Sequence, residues 1–248
     1  MDSLYIVVVV GAMAAGFVQG LSGFGFGMVA MSFWAWTVDP RMAAAMAVFG
    51  ALTGQLLAAF TVRRGFAAAH LLPFIVGGLL GIPLGVKLLP HLDPLMFKAF
   101  IGGLLAIWCP IMLFAARIPR ITAGGRVADG VAGAIGGVMG GLGGFTGVIP
   151  TLWCTLRGFD RDVQRAVIQN FNLSMLMVTM ASYVLTGVVT TDMLPLFAMI
   201  VPAMLVPTLW GTRIYVGISD AVFRRVVLGL LTLSGIALLA SSLPRLLA

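Results

Sequence analysis

The chain has 248 residues, 60% of them hydrophobic and only 9% charged, with 32 glycines and a mean hydropathy of +1.10. A soluble domain carries about a quarter charged residues, so the composition excludes an ordinary water-soluble enzyme, a disulfide scaffold and a disordered chain, and indicates an all-α integral membrane protein. The net charge of +7 is scattered as single or paired basic residues between apolar runs, without the basic stripe and interleaved aromatics that nucleic acid requires, and reads as loop charge that sets topology.

Eight apolar stretches follow one another at about 4–37, 42–61, 71–90, 95–116, 127–156, 167–188, 193–214 and 222–243. The opening Met1-Asp2-Ser3 lacks the basic region of a cleavable signal, so the first stretch is expected to stay as structure. Most stretches match the roughly 20 residues that cross a hydrocarbon core of about 30 Å. The first and fifth do not. As single helices their 34 and 30 residues would reach about 51 Å and about 45 Å, more than tilt absorbs. Each has a glycine-rich centre, Gly20-Leu21-Ser22-Gly23-Phe24-Gly25-Phe26-Gly27 in one and Gly140-Gly141-Leu142-Gly143-Gly144-Phe145-Thr146-Gly147 in the other. Glycine is a poor helix former and permits sharp reversals, so each long stretch is expected to be two short helices joined at a break.

The two centres coincide at an offset of 121 residues, where Gly16, Gly20, Leu21, Gly23, Phe24 and Asp39 fall on Gly137, Gly141, Leu142, Gly144, Phe145 and Asp160. Further along the offset becomes 126, with Phe97-Lys98 opposite Phe223-Arg224 and Gly103-Leu104-Leu105 opposite Gly229-Leu230-Leu231. The expected organisation is two homologous repeats of four apolar segments, residues 1–118 and 119–248, together one domain. If each long stretch crosses once, the basic residues divide nine to six between the two sides. If each turns at its glycines and leaves where it entered, the division is eleven to four, with only Arg41, Lys87, Lys98 and Arg245 on the poorer side. That bias favours re-entrant hairpins, and with them inverted repeats whose termini both lie outside.

A helix interrupted inside the membrane leaves N–H groups and carbonyls without partners, tolerable only in protein or beside a hydrated cavity. Half-helix N-termini carry partial positive charge and attract anions. The candidate substrate-binding residues of the breaks are therefore Gln19, Ser22, Gly23, Gly25, Gly143, Gly144 and Thr146. The sixth stretch adds a polar cluster, Gln169, Asn170, Asn172 and Ser174, and Thr53 matches Ser174 at the 121 offset. Close glycine packing and interhelical hydrogen bonding are the plainer alternatives for both groups. Trp34, Trp36 and Trp153 read as lipid-interface anchors, with a cavity wall as the alternative. Cys109 and Cys154 read as buried small hydrophobes, and Asp39 and Asp160 as helix N-caps. Arg157, Arg161 and Arg165, with Asp160 and Asp162 among them, read as a solvated loop. No acidic residue stands in the middle of an apolar stretch. Metal-ligand groupings, a nucleotide loop and a convincing hydrolytic dyad are all missing, so neither an enzyme nor a cofactor is expected.

The run from Gly137 through Gly140-Gly141-Leu142-Gly143-Gly144-Phe145 to Pro150, its weaker copy from Gly16 to Gly27, and the Gly85-Val86-Lys87 and Gly211-Thr212-Arg213 segments resemble the TauE/SafE sulfite exporter family of membrane permeases. The resemblance covers most of the chain and implies carriage of sulfur-containing anions such as sulfite or organosulfonates. The Gln169–Ser174 cluster departs from the small residues and Ser that the family shows there. The expected protein is a multi-pass inner-membrane secondary transporter working by alternating access around the paired breaks. An anion channel or a carrier of small carboxylates is the alternative. Its expected partners are a small anionic solute and the lipid bilayer, with a proton or sodium as coupling ion and a homodimer as further partners considered.

Overall fold

A computed structural model of the chain describes residues 3–22, 25–61, 65–115, 118–121, 123–214 and 220–247. These residues are all-helical, without a strand among them. The helices are α1 (Ser3–Ser22), α2 (Phe26–Trp34), α3 (Pro40–Thr61), α4 (Ala68–Leu88), α5 (Pro94–Phe114), α6 (Gly125–Gly143), α7 (Val148–Leu156), α8 (Arg161–Leu185), α9 (Leu194–Ile214) and α10 (Asp220–Leu247). Six of the described helices are long and apolar enough to cross a membrane: α1, α3, α4, α5, α9 and α10. That is fewer than the eight apolar stretches expected. α2 and α7 have nine residues each, about 13 Å of rise and under half the hydrocarbon core. α6 and α8 have the length but are less apolar, with Arg126 and Asp129 among the glycines of one and Arg161, Asp162, Arg165, Gln169, Asn170, Asn172 and Ser174 in the other.

Each short helix lies against the long helix before it. The Trp34 indole at the end of α2 donates from Nε1 to the Val8 carbonyl near the start of α1 (3.3 Å). The Trp153 indole near the end of α7 donates to Asp129 near the start of α6 (2.7 Å). Both pairs therefore run antiparallel. α2 is interior, with Phe26, Ala30, Met31 and Trp34 at 1% exposure or less.

The long helices pair through small residues. α4 packs on α6 with Gly77, Gly81 and Gly85 on one face and Gly133 and Gly137 on the other, where a Cβ would run into the partner's backbone. α1 packs on α9 through Gly16 and Gly20, and Thr208 donates across that interface to the Gly16 carbonyl (2.9 Å). α5 packs on α10 through Gly102 and Gly235. In lipid the apolar effect does not drive helices together, so backbone approach and dispersion take its place. Large apolar side chains such as Ile6, Val10, Leu72, Val76, Leu80 and Ile107 remain on the outside, as a bilayer-facing surface needs. Asp39 caps α3, accepting from the Arg41 and Met42 N–H groups (3.0 and 3.4 Å), whereas Asp160 occupies the N-cap of α8 without a side-chain bond.

Candidate functional site

The start of α2 is set by Gly25, whose φ of 97° lies in the left-handed region that a side chain would disfavour. No side chain caps this helix. Its first intrahelical bond runs from the Val29 N–H to the Gly25 carbonyl, so the N–H groups of Phe26, Gly27 and Met28 have no partner within the helix. In the other hairpin Gly144, at φ 77°, closes α6 by donating to the Gly140 carbonyl. The Val148 N–H is taken by the Phe145 carbonyl, while those of Thr146 and Gly147 have no backbone acceptor among the described residues.

These two uncapped helix starts line one partly enclosed cavity of about 40 Å³, bounded by Gly25, Phe26, Gly27 and Met28 on one side and Gly144, Phe145, Thr146, Gly147 and Val148 on the other. Gln19 of α1, Ala51 and Gln55 of α3, and Asn172 and Leu176 of α8 complete its wall. Gln19, Gln55, Thr146 and Asn172 are all at least 96% buried, and among the described residues no charged side chain lines the cavity. Thr146 Oγ1 donates to Asn172 Oδ1 (2.9 Å), which fixes the carboxamide and leaves its Nδ2 as a donor. Gln19 Nε2 donates to the Ala51 carbonyl (3.3 Å). The Gln19 amide occupies the space a Cβ on Gly54 would take, so the absence of a side chain there lets the glutamine lie across α3. The result is a partly enclosed chamber with N–H donors, partial positive charge from two helix starts and, among the described residues, no fixed cation.

Of the candidates, Gln19, Gly25, Gly144, Thr146 and Asn172 meet at this cavity. Gly143 is buried next to it, against Phe145 and Met31. Thr53 donates to the Phe49 carbonyl of its own helix (2.9 Å), and Asn170 donates to the carbonyls of Gly65 (3.0 Å) and Ala166 (2.8 Å). Gln169 and Ser174 are half-buried on α8 and do not line it. Ser22 ends α1, its side chain outside what is described, and Gly23 lies outside the described residues. Gln55 was not among the expected residues. It carries the same signal as the α8 cluster, an amide alone in an apolar helix that must find a partner.

A second polar cluster lies at the far end of the α6–α7 hairpin. Asp129 is 3% exposed, accepts from Trp153 and pairs with Arg157 Nε at 3.5 Å. Arg157 therefore does not belong to a solvated loop: its side chain is 17% exposed and its guanidinium also lies over the Phe159 ring. Trp34 is fully buried and Trp153 half-buried, both away from the cavity wall, whereas Trp36 is exposed with Lys98 Nζ 3.8 Å from its ring centre, as an interface anchor would be. Cys109 and Cys154 are buried free thiols.

A family model described as "Sulfite exporter TauE/SafE" matches residues 8–238. No curated protein matches the chain, and no solved structure does.

Proposed function

The chain belongs to the sulfite exporter TauE/SafE family of multi-pass membrane transporters, and from that premise we propose that the cavity between the two hairpins is the seat of its solute, a small sulfur oxyanion. The observation that carries this reading is the convergence of two uncapped helix starts on one partly enclosed chamber whose described lining holds buried amides and a hydroxyl but no charge. Such N–H groups favour negative charge. An uncharged donor set holds an anion without the deep trap of a salt bridge, which suits a carrier that must release what it binds. Size narrows the class. A water needs about 10–15 Å³ of such space, so a cavity of about 40 Å³ has room for roughly three water-sized positions. That suits the three oxygens of sulfite, and a longer organosulfonate would require the chamber to open.

The proposed mechanism is secondary transport by alternating access, in which the two halves are inverted repeats, α1–α5 and α6–α10. Support comes from how the helices pair. α1 lies on α9 as α6 lies on α4, and the contacts correspond one by one. Gly16 abuts Met204 and Gly137 abuts Gly78; Gly20 abuts Thr208 and Gly141 abuts Ile82; Gly211 abuts the Phe17 carbonyl and Gly85 the Val138 carbonyl. Each member is related to its counterpart by the offsets of 121 and 126 read from the sequence. Two equivalent rigid pairs, each carrying one wall of the cavity, are what rocking around a fixed central site needs.

The test is Asn172→Leu, a swap of similar size that removes the Thr146 acceptor and the Nδ2 donor. Sulfite efflux from loaded vesicles is expected to fall at least about tenfold with the protein still folded in the membrane, the loss of a buried hydrogen-bonding pair being of that order. Efflux at the wild-type rate would overturn the assignment of the cavity.

A further inference from the structure

We infer that the cavity selects an oxyanion that carries its own proton, hydrogen sulfite in preference to a bare oxyanion of the same shape and charge. The inference rests on the cavity being the solute site and asks what that solute must offer. Among the described side chains lining the cavity, one buried acceptor is left unmet. Gln19 Oε1 is buried at the cavity wall with no hydrogen-bond partner, in a side chain that is 96% buried. The orientation of this amide is not free. Nε2 is the end that meets the Ala51 carbonyl, and flipping the group would set Oε1 against that carbonyl, acceptor against acceptor. Oε1 is therefore held as an unmet acceptor at the cavity wall, beside the N–H groups of the two helix starts.

A buried acceptor left without a donor is costly. A fully deprotonated oxyanion satisfies the N–H groups and leaves Gln19 Oε1 unmet. Its monoprotonated form satisfies both, the oxygens taking the N–H groups and the O–H pointing at Gln19. The neighbouring geometry keeps the acceptor in place: the corresponding position in the second half is Gly140, so nothing there duplicates it, and the missing side chain of Gly54 leaves room for the amide.

Chlorate provides the control, being a pyramidal monoanion with three oxygens and no proton. Thermal stabilisation of the purified, detergent-solubilised protein is measured against hydrogen sulfite and chlorate in the same mildly acidic buffer. Hydrogen sulfite is expected to act at concentrations at least about tenfold lower than chlorate, the scale of one buried hydrogen bond. In Gln19→Met the preference should vanish, the two anions acting within about twofold of each other. Equal potency of the two anions on the wild-type protein would overturn the inference while leaving an anion site in place, and this comparison does not depend on the variant folding. Stabilisation by neither anion would overturn the anion site itself, and the inference with it.

Discussion

Each hairpin lays a nine-residue helix back on a long one, and the two are fastened differently. In α1–α2 the tie is neutral: the Trp34 indole reaches a backbone carbonyl at 3.3 Å, with Gly11 clearing space for the ring and Phe26 edge-on to it at 6.2 Å. In α6–α7 the tie is ionic: the Trp153 indole reaches the Asp129 carboxylate at 2.7 Å, and Arg157 stands 3.5 Å from the same oxygen. Val8 and Asp129, the two accepting residues, are 121 residues apart, the offset that relates the glycine-rich centres. Where the first hairpin offers a peptide carbonyl, the second offers a carboxylate. The difference is energetic as well as chemical. A charge-assisted bond is shorter and stronger than a neutral one, but a buried carboxylate must keep its partners, because an ion stripped of them is far worse off than a carbonyl. The second hairpin is held more firmly and fails more abruptly.

Asp129→Ala should break the comparison at its strongest point. It leaves the Trp153 N–H without its acceptor and Arg157, largely buried, without its counter-charge. The expected loss is about 3–5 kcal/mol, the range for removing one partner of a buried pair, read as a collapse of the melting temperature or of the monodisperse fraction in detergent. A melting temperature equal to wild type would mean that the pair holds nothing. Asp129→Asn should sharpen it. The carboxamide retains an oxygen for Trp153 but gives Arg157 no charge, so a smaller loss of about 1.5–3 kcal/mol is expected, that of a hydrogen bond to a charged group. If Asn and Ala prove equally damaging, the ion pair rather than the indole bond fastens the hairpin.

The helical membrane fold and the paired glycine-rich centres could be read from composition and spacing, and so could Gln19, Gly25, Gly144, Thr146 and Asn172, which meet at one cavity. What could not be read depends on facing. Asn170 and Asn172 are two residues apart on one helix and so point about 200° apart, and only Asn172 reaches the cavity. Thr53 and Ser174 match at the 121 offset, but a helical hydroxyl can satisfy itself on its own backbone, as Thr53 does on Phe49. Asp129 and Arg157 are 28 residues apart in sequence, and only the fold-back of α7 brings them together. Trp34 has the composition of an interface anchor, yet it is fully buried because the short helix bearing it lies inside the bundle.

The smallest effect is expected at the neutral tie, and it isolates the comparison best. Exchanging the Trp34 indole for a benzothiophene replaces N–H by sulfur while keeping the shape of the bicyclic ring, so packing in the fully buried site is conserved and only the bond to Val8 is lost. The orphaned group is then a helix carbonyl that still accepts its own intrahelical N–H, and no charge is exposed. At 3.3 Å the bond is also long for an N–H donor. The loss should be about 0.5–1 kcal/mol, a fraction of the Asp129→Asn effect, measured as a shift in melting temperature under the same detergent conditions. A loss as large as that of Asp129→Asn would reverse the ranking. It would mean that the carbonyl at Val8 has no adequate partner in its own helix, and that the first hairpin is fastened as tightly as the second.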